Sequence, residues 1–424
     1  MSLASYPTYQ RVPAEWIGQV PSGWQVRRIG QLFEQRNEKV SDKDYPPLSV
    51  TKKGVVPQMQ HVAKTDDNDN RKLVLAGDFV INSRSDRKGS SGLSNLDGSV
   101  SLINTVLRPK GEIILEFAHY LLRSYAFQEE FYRMGNGLVA DLWTTNFGAM
   151  KVISVPLPPR GEQQQIVAYL DAETTQIDML IDRKRRFIEL LTEKALAIAA
   201  HAVTKGISRC NDIAGDAPAW LGQVPSNWRT ARIAELFQEI VRPADPNLPV
   251  LAVSIHDGVS DKELADEDRA RMVNLSEDRT KYQRVQPEDL VYNMMRAWQG
   301  AFGTVTVNGL VSPAYVVAKP KAEFRTKFIE LQLRTASGAE EVRRYSKGIA
   351  DFRQRLYWEH FRNLKVCLPP LKEQDDIIAH IESEQARLAL LKTKTERSIE
   401  LLREHRIALI TAAVTGKIDV RNAA

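Results

Sequence analysis

The chain has 424 residues, 43% of them hydrophobic and 26% charged, enough apolar material for roughly two to four packed domains. Lys and Arg exceed Asp and Glu by 58 to 53, a net charge of +5, and this mild basicity fits a nucleic-acid partner without requiring one. Two cysteines, Cys210 and Cys367, exclude a disulfide framework and by themselves a four-ligand zinc site, and the seven histidines show no His-Glu-x-x-His spacing.

Met1 to Gln10 lacks an apolar stretch behind a basic one, so no signal peptide is expected. No apolar run approaches the ~18 residues of a membrane span, and a reducing cytoplasm is the expected location. From Trp16 the chain reads WIGQVPSGWQVRRIGQLFEQ. Short β-rich runs follow, Pro47-Leu48-Ser49-Val50 and Phe79-Val80-Ile81-Asn82, separated by Gly- and Asp-rich turns. Leu115 to Tyr132 has helical spacing of Leu115, Ala118, Leu121, Leu122 and Tyr125. Pro158 and Pro159 then end a strand and suit a helix entry, with Glu162 in the first turn, where a carboxylate complements exposed amides. A stripe steps onward by threes and fours through Ile166, Leu170, Glu173, Ile177, Leu180/Ile181, Lys184, Ile188, Leu191, Ala195, Ile198 and Ala202.

The chain is then written a second time. Trp220 opens WLGQVPSNWRTARIAELFQE, 204 residues after Trp16. Glu288-Asp289-Leu290-Val291-Tyr292-Asn293 answers Gly77-Asp78-Phe79-Val80-Ile81-Asn82. Phe328 to Arg344 is a weaker counterpart of the first helical stretch. Pro369-Pro370-Leu371-Lys372-Glu373-Gln374 follows Pro158-Pro159-Arg160-Gly161-Glu162-Gln163 by 211 residues, so the second copy carries about seven extra residues before its middle. Its stripe runs through Ile377, Ile381, Glu384, Leu388, Leu391, Thr395, Ile399, Leu402, Arg406, Leu409 and Ala413. The copies agree at their edges and differ inside: Asn82 to Gly89 and Asn293 to Gly300 share ends but little between them.

Two stripes of about five heptads imply helices on the order of 60 Å long. One such seam cannot stay exposed, and the nearest partner is the sibling helix. An antiparallel pair is expected, with seam residues Ile166, Leu170, Ile177, Ile181, Ile188 and Leu191 against Ile377, Ile381, Leu388, Leu391, Ile399 and Leu402. Glu173 and Glu384 stand at equivalent places, so Glu173 is expected near Arg403 or Arg406, and Glu384 near Lys194. The fold class is α+β: two globular domains separated by a pair of long antiparallel coiled-coil helices in a pseudo-twofold repeat. The expected boundaries are 1–157 and 211–368 for the globular domains, and 158–210 and 369–424 for the helices.

A Val-Pro-x-x-Trp opening (Val20 to Trp24, Val224 to Trp228) and a Leu-Pro-Pro-x-x-Glu-Gln step into a long helix, both duplicated, resemble the specificity subunits of type I restriction–modification systems. The resemblance covers nearly the whole chain. Each motif is short; the duplicated order is the specific part. The resemblance implies two target recognition domains, each reading one half of a split double-stranded DNA site. It implies spacer helices that dock two modification subunits, which use S-adenosylmethionine to methylate adenine, and restriction subunits that hydrolyse ATP with magnesium and cut DNA. No cofactor is implied in this chain. Two different readers predict an asymmetric site with its parts roughly 10 base pairs apart, and a four-residue step inserted after Leu191 should change that gap alone.

Phosphate contacts need Lys, Arg and small polar groups, and base reading needs Arg, Lys, Asn or Gln in the grooves. The first reader offers Lys52 and Lys53 beside Gly54, then Arg84, Arg87 and Lys88. The second offers His256, Arg296, Trp298 and Gln299. A late loop in each copy, at Asn136-Gly137 and Lys347-Gly348, is a candidate backbone clamp. Trp298 has core packing as its competing role. Trp16, Trp24, Trp220 and Trp228 recur in the frame, so packing is favoured there over base stacking.

No methyltransferase Asn/Asp-Pro-Pro-aromatic motif and no Gly-x-x-x-x-Gly-Lys-Ser/Thr loop occurs, so a non-catalytic role is expected. One rival is a coiled-coil scaffold with two protein-interaction domains and no affinity for DNA. Another is a subunit of a fused restriction–methylation enzyme.

Overall fold

The computed structural model describes residues 4–58, 69–137, 143–208, 216–255, 258–263, 279–348 and 354–421. Two compact units form, Met1–Arg185 with Glu396–Ala424 (unit 1) and Arg186–Thr395 (unit 2). Each combines a small antiparallel sheet, short helices and segments of both long helices.

In unit 1 the strands that matter are β1 (Phe33–Gln35), β2 (Leu48–Thr51), β3 (Gly54–Pro57), β4 (Phe79–Asn82), β5 (Ser91–Leu93) and β6 (Asn104–Pro109). They are followed by α1 (Leu115–Arg123), α2 (Tyr125–Arg133) and the long α3 (Arg160–Lys205). Unit 2 has β7 (Phe237–Glu239), β8 (Val253–Ser254), β9 (Gly258–Val259), β10 (Leu290–Asn293), β11 (Phe302–Thr304) and β12 (Tyr315–Pro320). Its helices are α4 (Thr326–Leu333), α5 (Ala336–Tyr345) and the long α6 (Leu371–Val414).

The repeat legible in the sequence is a repeat of register. The sheet order β5-β4-β6-β1 in unit 1 recurs as β11-β10-β12-β7 in unit 2. Ile81 pairs with Ser91 and Thr105; Tyr292, 211 residues on, pairs with Phe302 and Val316. β4 is buried on both faces, as its unbroken apolar run requires. Beneath each sheet edge a carboxylate takes a two-pronged bond. Asp78 accepts from Arg36 at 2.8 and 3.2 Å, and Asp289 accepts from both terminal nitrogens of Arg242. Both carboxylates also accept a backbone N–H, from Leu75 and Gln286. A buried charge held by this many donors is compensated.

The single helix expected over Leu115 to Tyr132 is two helices. Ser124, with ψ 147°, breaks the run and caps α2 by accepting from the Phe127 N–H. Thr335 does the same for α5 by accepting from Gly338. Period counting overlooks the break because the apolar spacing crosses it, whereas a Ser or Thr hydroxyl satisfies orphan amides. Tyr125, counted as apolar, is consequently 57% exposed.

Helices α3 and α6 run antiparallel within each unit. In unit 1, Asp178 of α3 meets Arg406 of α6 at 3.2 Å. In unit 2, the end of α3 at Gly206 lies against Glu373 at the start of α6. The seam residues Ile166, Leu170, Ile177, Ile181, Leu191, Ile377, Ile381, Leu388 and Ile399 are buried, Ile188 and Leu402 half-buried, and Leu391 38% exposed. The polar seam position in α3 is Thr174, not Glu173: Thr174 is 5% exposed and spends its hydroxyl on Leu170 O at 2.6 Å. Arg406 therefore pairs with Asp178 rather than with Glu173. Glu384 bonds Arg387 at 2.7 Å; that guanidinium holds its carboxyl below the usual range, with His380 and Lys194 adding to the pull. The register is set where the helix ends enter the domains. Val203 and Val414 are wholly buried, and Gln332 Nε2 donates to Val203 O at 2.8 Å.

Each long helix starts in a duplicated clasp. Gln163 Oε1 accepts from Ile114 N–H at 2.8 Å while its Nε2 donates to Pro158 O at 2.9 Å. Gln374 repeats this with Arg325 N–H and Pro369 O at the same two distances. Ile114 and Arg325 are the N-caps of α1 and α4, so one amide ties the long helix to the domain's first helix. Glu162 and Glu373, expected beside the exposed amides of the first turn, accept hydrogen bonds from Tyr6 Oη and from the Trp228 indole.

Candidate nucleic-acid interface

In unit 1 the turn between β2 and β3 carries Lys52 and Lys53, both exposed. The Lys53 N–H bonds Thr51 Oγ1 at 3.0 Å, which tightens the turn. The hairpin lies flat on β5 because Gly92 has no side chain: a Cβ there would come within 2.8 Å of Gly54 Cα. Gly303 makes the same allowance in unit 2, where a Cβ would meet Val259 N at 2.3 Å.

The loop after β4 holds Arg84 and Arg87, exposed, and Lys88, half-buried. Arg87 stands 3.4 Å from Asp86. Lys88 is ion-paired with Glu129 and lies 5.4 Å from the Tyr132 ring centre. The late loop joins this one through a short bridge. Asn136 and Thr144 exchange both backbone bonds at 3.0 Å, Arg84 bridges Thr144, and Thr145 N–H donates to Ser83 O at 2.9 Å. The structure thus brings the Arg84 and Asn136 loops side by side.

Unit 2 reproduces the frame with other side chains. Lys347 and Arg355 exchange backbone bonds at 2.9 Å, and Leu356 N–H donates to Met294 O at 2.9 Å. Arg296 is half-buried and Gln299 exposed. The Trp298 indole donates to Met295 O at 3.1 Å, and the ring packs against the core on one side with Arg343 5.5 Å from its centre. Trp298 is thus part of the loop's own support. His256 lies outside the described residues, as does Cys210. The framework tryptophans pack as expected: Trp24 and Trp228 are buried, and the Trp16 and Trp220 indoles donate to Ser154 O and Lys365 O.

Sequence reasoning passed over the residues that hold the hairpin turns in place. Arg123, at the end of α1, donates to Lys52 O at 2.6 Å. Arg334, after α4, donates to Ile255 O at 3.0 Å. Behind each guanidinium stands a second side chain one helical turn earlier, and the two differ. His119 Nε2 faces Arg123 at 2.8 Å and Nδ1 faces the Leu93 N–H at 3.3 Å. Glu330 accepts from Arg334 at 2.9 Å and from the Thr304 N–H at 2.8 Å. Burial, with the Arg123 charge adding to it, pushes His119 down to about 4, so the ring is neutral near pH 7. The signal was present in the sequence: Arg123 and Arg334 keep the 211-residue offset of the frame.

No helix of the described residues is long and apolar enough to cross a membrane. Residues 21–188 match the family model described as the type I restriction modification DNA specificity domain. A curated protein of Methanocaldococcus jannaschii, described as the specificity subunit of the type I restriction enzyme MjaX, is 22% identical over 256 residues. The match covers 54% of this chain and 56% of the relative, so it spans about half the length of each. Among solved structures, the HsdS subunit from Thermoanaerobacter tengcongensis aligns with a TM-score of 0.55 at 17% identity, over 94% of this chain and 98% of that one. A chain from a structure concerning assembly and conformational transition of a type I restriction–modification system aligns at 0.59 and 17% identity, over 93% and 98%. These structural likenesses are likenesses of fold.

Proposed function

We propose that the chain is a specificity subunit of a type I restriction–modification system, the family whose DNA specificity domain matches residues 21–188, and that it reads an asymmetric DNA site in two parts, one per unit, without catalysing a reaction itself. The observation that carries this reading is the duplicated frame with unlike loops. Matched backbone bonds, Asn136 with Thr144 and Thr145 with Ser83 in unit 1, Lys347 with Arg355 and Leu356 with Met294 in unit 2, hold loops that carry Arg84, Arg87 and Asn136 in the one and Arg296, Gln299 and Lys347 in the other. Identical mounts with different donors suit two different half-sites, because base identity is read by the side chains and position by the backbone contacts. Residues 1–157 and 211–368 are the proposed readers, and 158–210 and 369–424 the spacer.

The proposed partners are double-stranded DNA, two modification subunits carrying S-adenosylmethionine, and restriction subunits that use ATP and magnesium, all in the cytoplasm. Apolar side chains remain exposed along the long helices, among them Met179, Phe187 and Leu190 of α3 and Leu390 and Leu401 of α6. Such rows on helices already paired support docking of further subunits.

The deciding measurement is binding of a mixed-sequence duplex by the full chain, with modification subunits present, across a salt series. We expect affinity to fall linearly on logarithmic axes, and Arg84→Ala to reduce it. Absence of salt-dependent binding would favour the scaffold reading.

A further inference from the structure

The buttresses behind the two hairpin turns are built alike but differ in charge. In unit 2, Arg334 has an internal counter-ion: Glu330 is wholly buried, bonds it at 2.9 Å and also meets Lys327 at 2.8 Å. In unit 1 the same station is His119. Both of its ring nitrogens face donors, the Arg123 guanidinium and the Leu93 N–H, and a neutral imidazole accepts at only one. Arg123 bonds an uncharged ring and the Lys52 carbonyl, and no carboxylate among the described residues bonds it. Burial, and after it the like charge of Arg406, depresses its affinity for its proton.

These groups line one cavity of about 580 Å³ in unit 1, whose charged and polar walls include Lys52, Lys88, His119, Arg123 and Arg406 and one carboxylate, Glu129. Lys88 is paired with Glu129 and Arg406 with Asp178, whereas Lys52 and Arg123 have no ion-pair partner among the described residues. In unit 2 the position matching Arg406 is Ala195, by the offset that aligns the two helix ends. At the matched positions unit 1 thus has Arg406 and Lys88 where unit 2 has Ala195 and Gln299, and it has His119 where unit 2 has the carboxylate Glu330. A half-buried guanidinium facing a second cation across a cavity is costly unless an anion enters.

We propose that this cavity is an oxyanion seat for one phosphate group, in which an external phosphate takes the part that Glu330 plays in unit 2. The volume admits a phosphodiester with its flanking sugar. The DNA backbone is the source we assign, and in that respect alone the proposal rests on the DNA-reading function; free phosphate is the other source of the same chemistry. The consequence is an asymmetry between the readers: unit 1 makes a backbone contact that unit 2 replaces with an internal ion pair.

Two variants test this in the full chain. His119→Glu installs the internal counter-ion, and Arg406→Ala installs the residue found at the matching position of unit 2. Arg406→Ala keeps the test usable should His119→Glu fail to fold. The first readout is the salt dependence of mixed-sequence duplex binding. One phosphate contact contributes a slope of about 0.9, so between 50 and 200 mM salt the parent should lose ~3.5-fold more affinity than either variant. The second readout is thermal stabilisation by inorganic phosphate against chloride at matched ionic strength, expected for the parent and not for His119→Glu. A reduced slope in the variants supports the seat with DNA as its source. An unchanged slope with a phosphate effect only in the parent supports the seat with free phosphate as its source. Unchanged slopes together with equal phosphate effects overturn it. If the parent binds no duplex, the DNA-reading function fails and the phosphate readout decides the seat by itself.

Discussion

Glu288 holds φ at 71° in the turn where the first copy has Gly77 at 93°. The left-handed region costs an L-residue about 1–2 kcal/mol, and glycine escapes that cost while adding freedom to the unfolded chain. The Glu288 side chain is exposed, and the turn is held by its backbone: its N–H donates to Val305 O and its carbonyl accepts from Thr326 Oγ1. Replacing it leaves those bonds intact. Glu288→Gly should therefore raise stability by on the order of 0.5–1 kcal/mol, read as a higher urea midpoint; a lower midpoint would show that the turn stores no strain. At this scale the sequence was readable only where both copies keep a residue for the same reason. Asp78 and Asp289 fall in the repeated strand motif, and their arginines sit at Arg36 and Arg242 with a slightly different offset. His119 and Glu330 share a position but not a chemistry, and comparing residue types at that position does not reveal a common role.

Among elements, the clasp at each long-helix entry joins three things the sequence shows separately: a proline pair, a helix start and an N-cap far back in the chain. Gln163 is 1% exposed, and both ends of its amide bond backbone groups. Gln163→Ala should leave the Ile114 N–H and the Pro158 carbonyl unpaired in the interior, at a cost of about 1–3 kcal/mol. Faster hydrogen exchange at the start of α1 is the local sign to look for, and unaltered exchange there would remove the clasp from the account. The Gln was visible as part of a repeated motif; its task was not, because its partner Ile114 is contributed by a segment 49 residues earlier. The break at Ser124 was hidden for a related reason. Apolar spacing continues across it, and only the hydroxyl bond to Phe127 N–H shows where one helix stops. Strands β4 and β10 and both long helices were readable because their patterns are long or buried on both faces.

For the molecule as a whole, the repeat and the antiparallel seam follow from the stripes, and the contacts Asp178–Arg406 and Gly206–Glu373 occur where an antiparallel pair requires them. The register was not readable, since it is set by the helix ends: the Val203 carbonyl is held by Gln332, and Gly416 is held by Tyr9 Oη donating to its carbonyl at 3.0 Å. If the helices measure the distance between half-sites, lengthening them must change that distance and nothing else. Matching four-residue insertions after Leu191 and after its counterpart Leu402 add about 6 Å of helix each. At ~3.4 Å per base pair this is a gain of about two base pairs in the unread gap. Methylome sequencing of cells carrying the insertions, together with the modification subunits, should return both half-sites unaltered and the gap widened. A gap of the original length would mean that the loops Lys52–Lys53 and Arg84–Lys88 are held to their half-sites by something other than the helices.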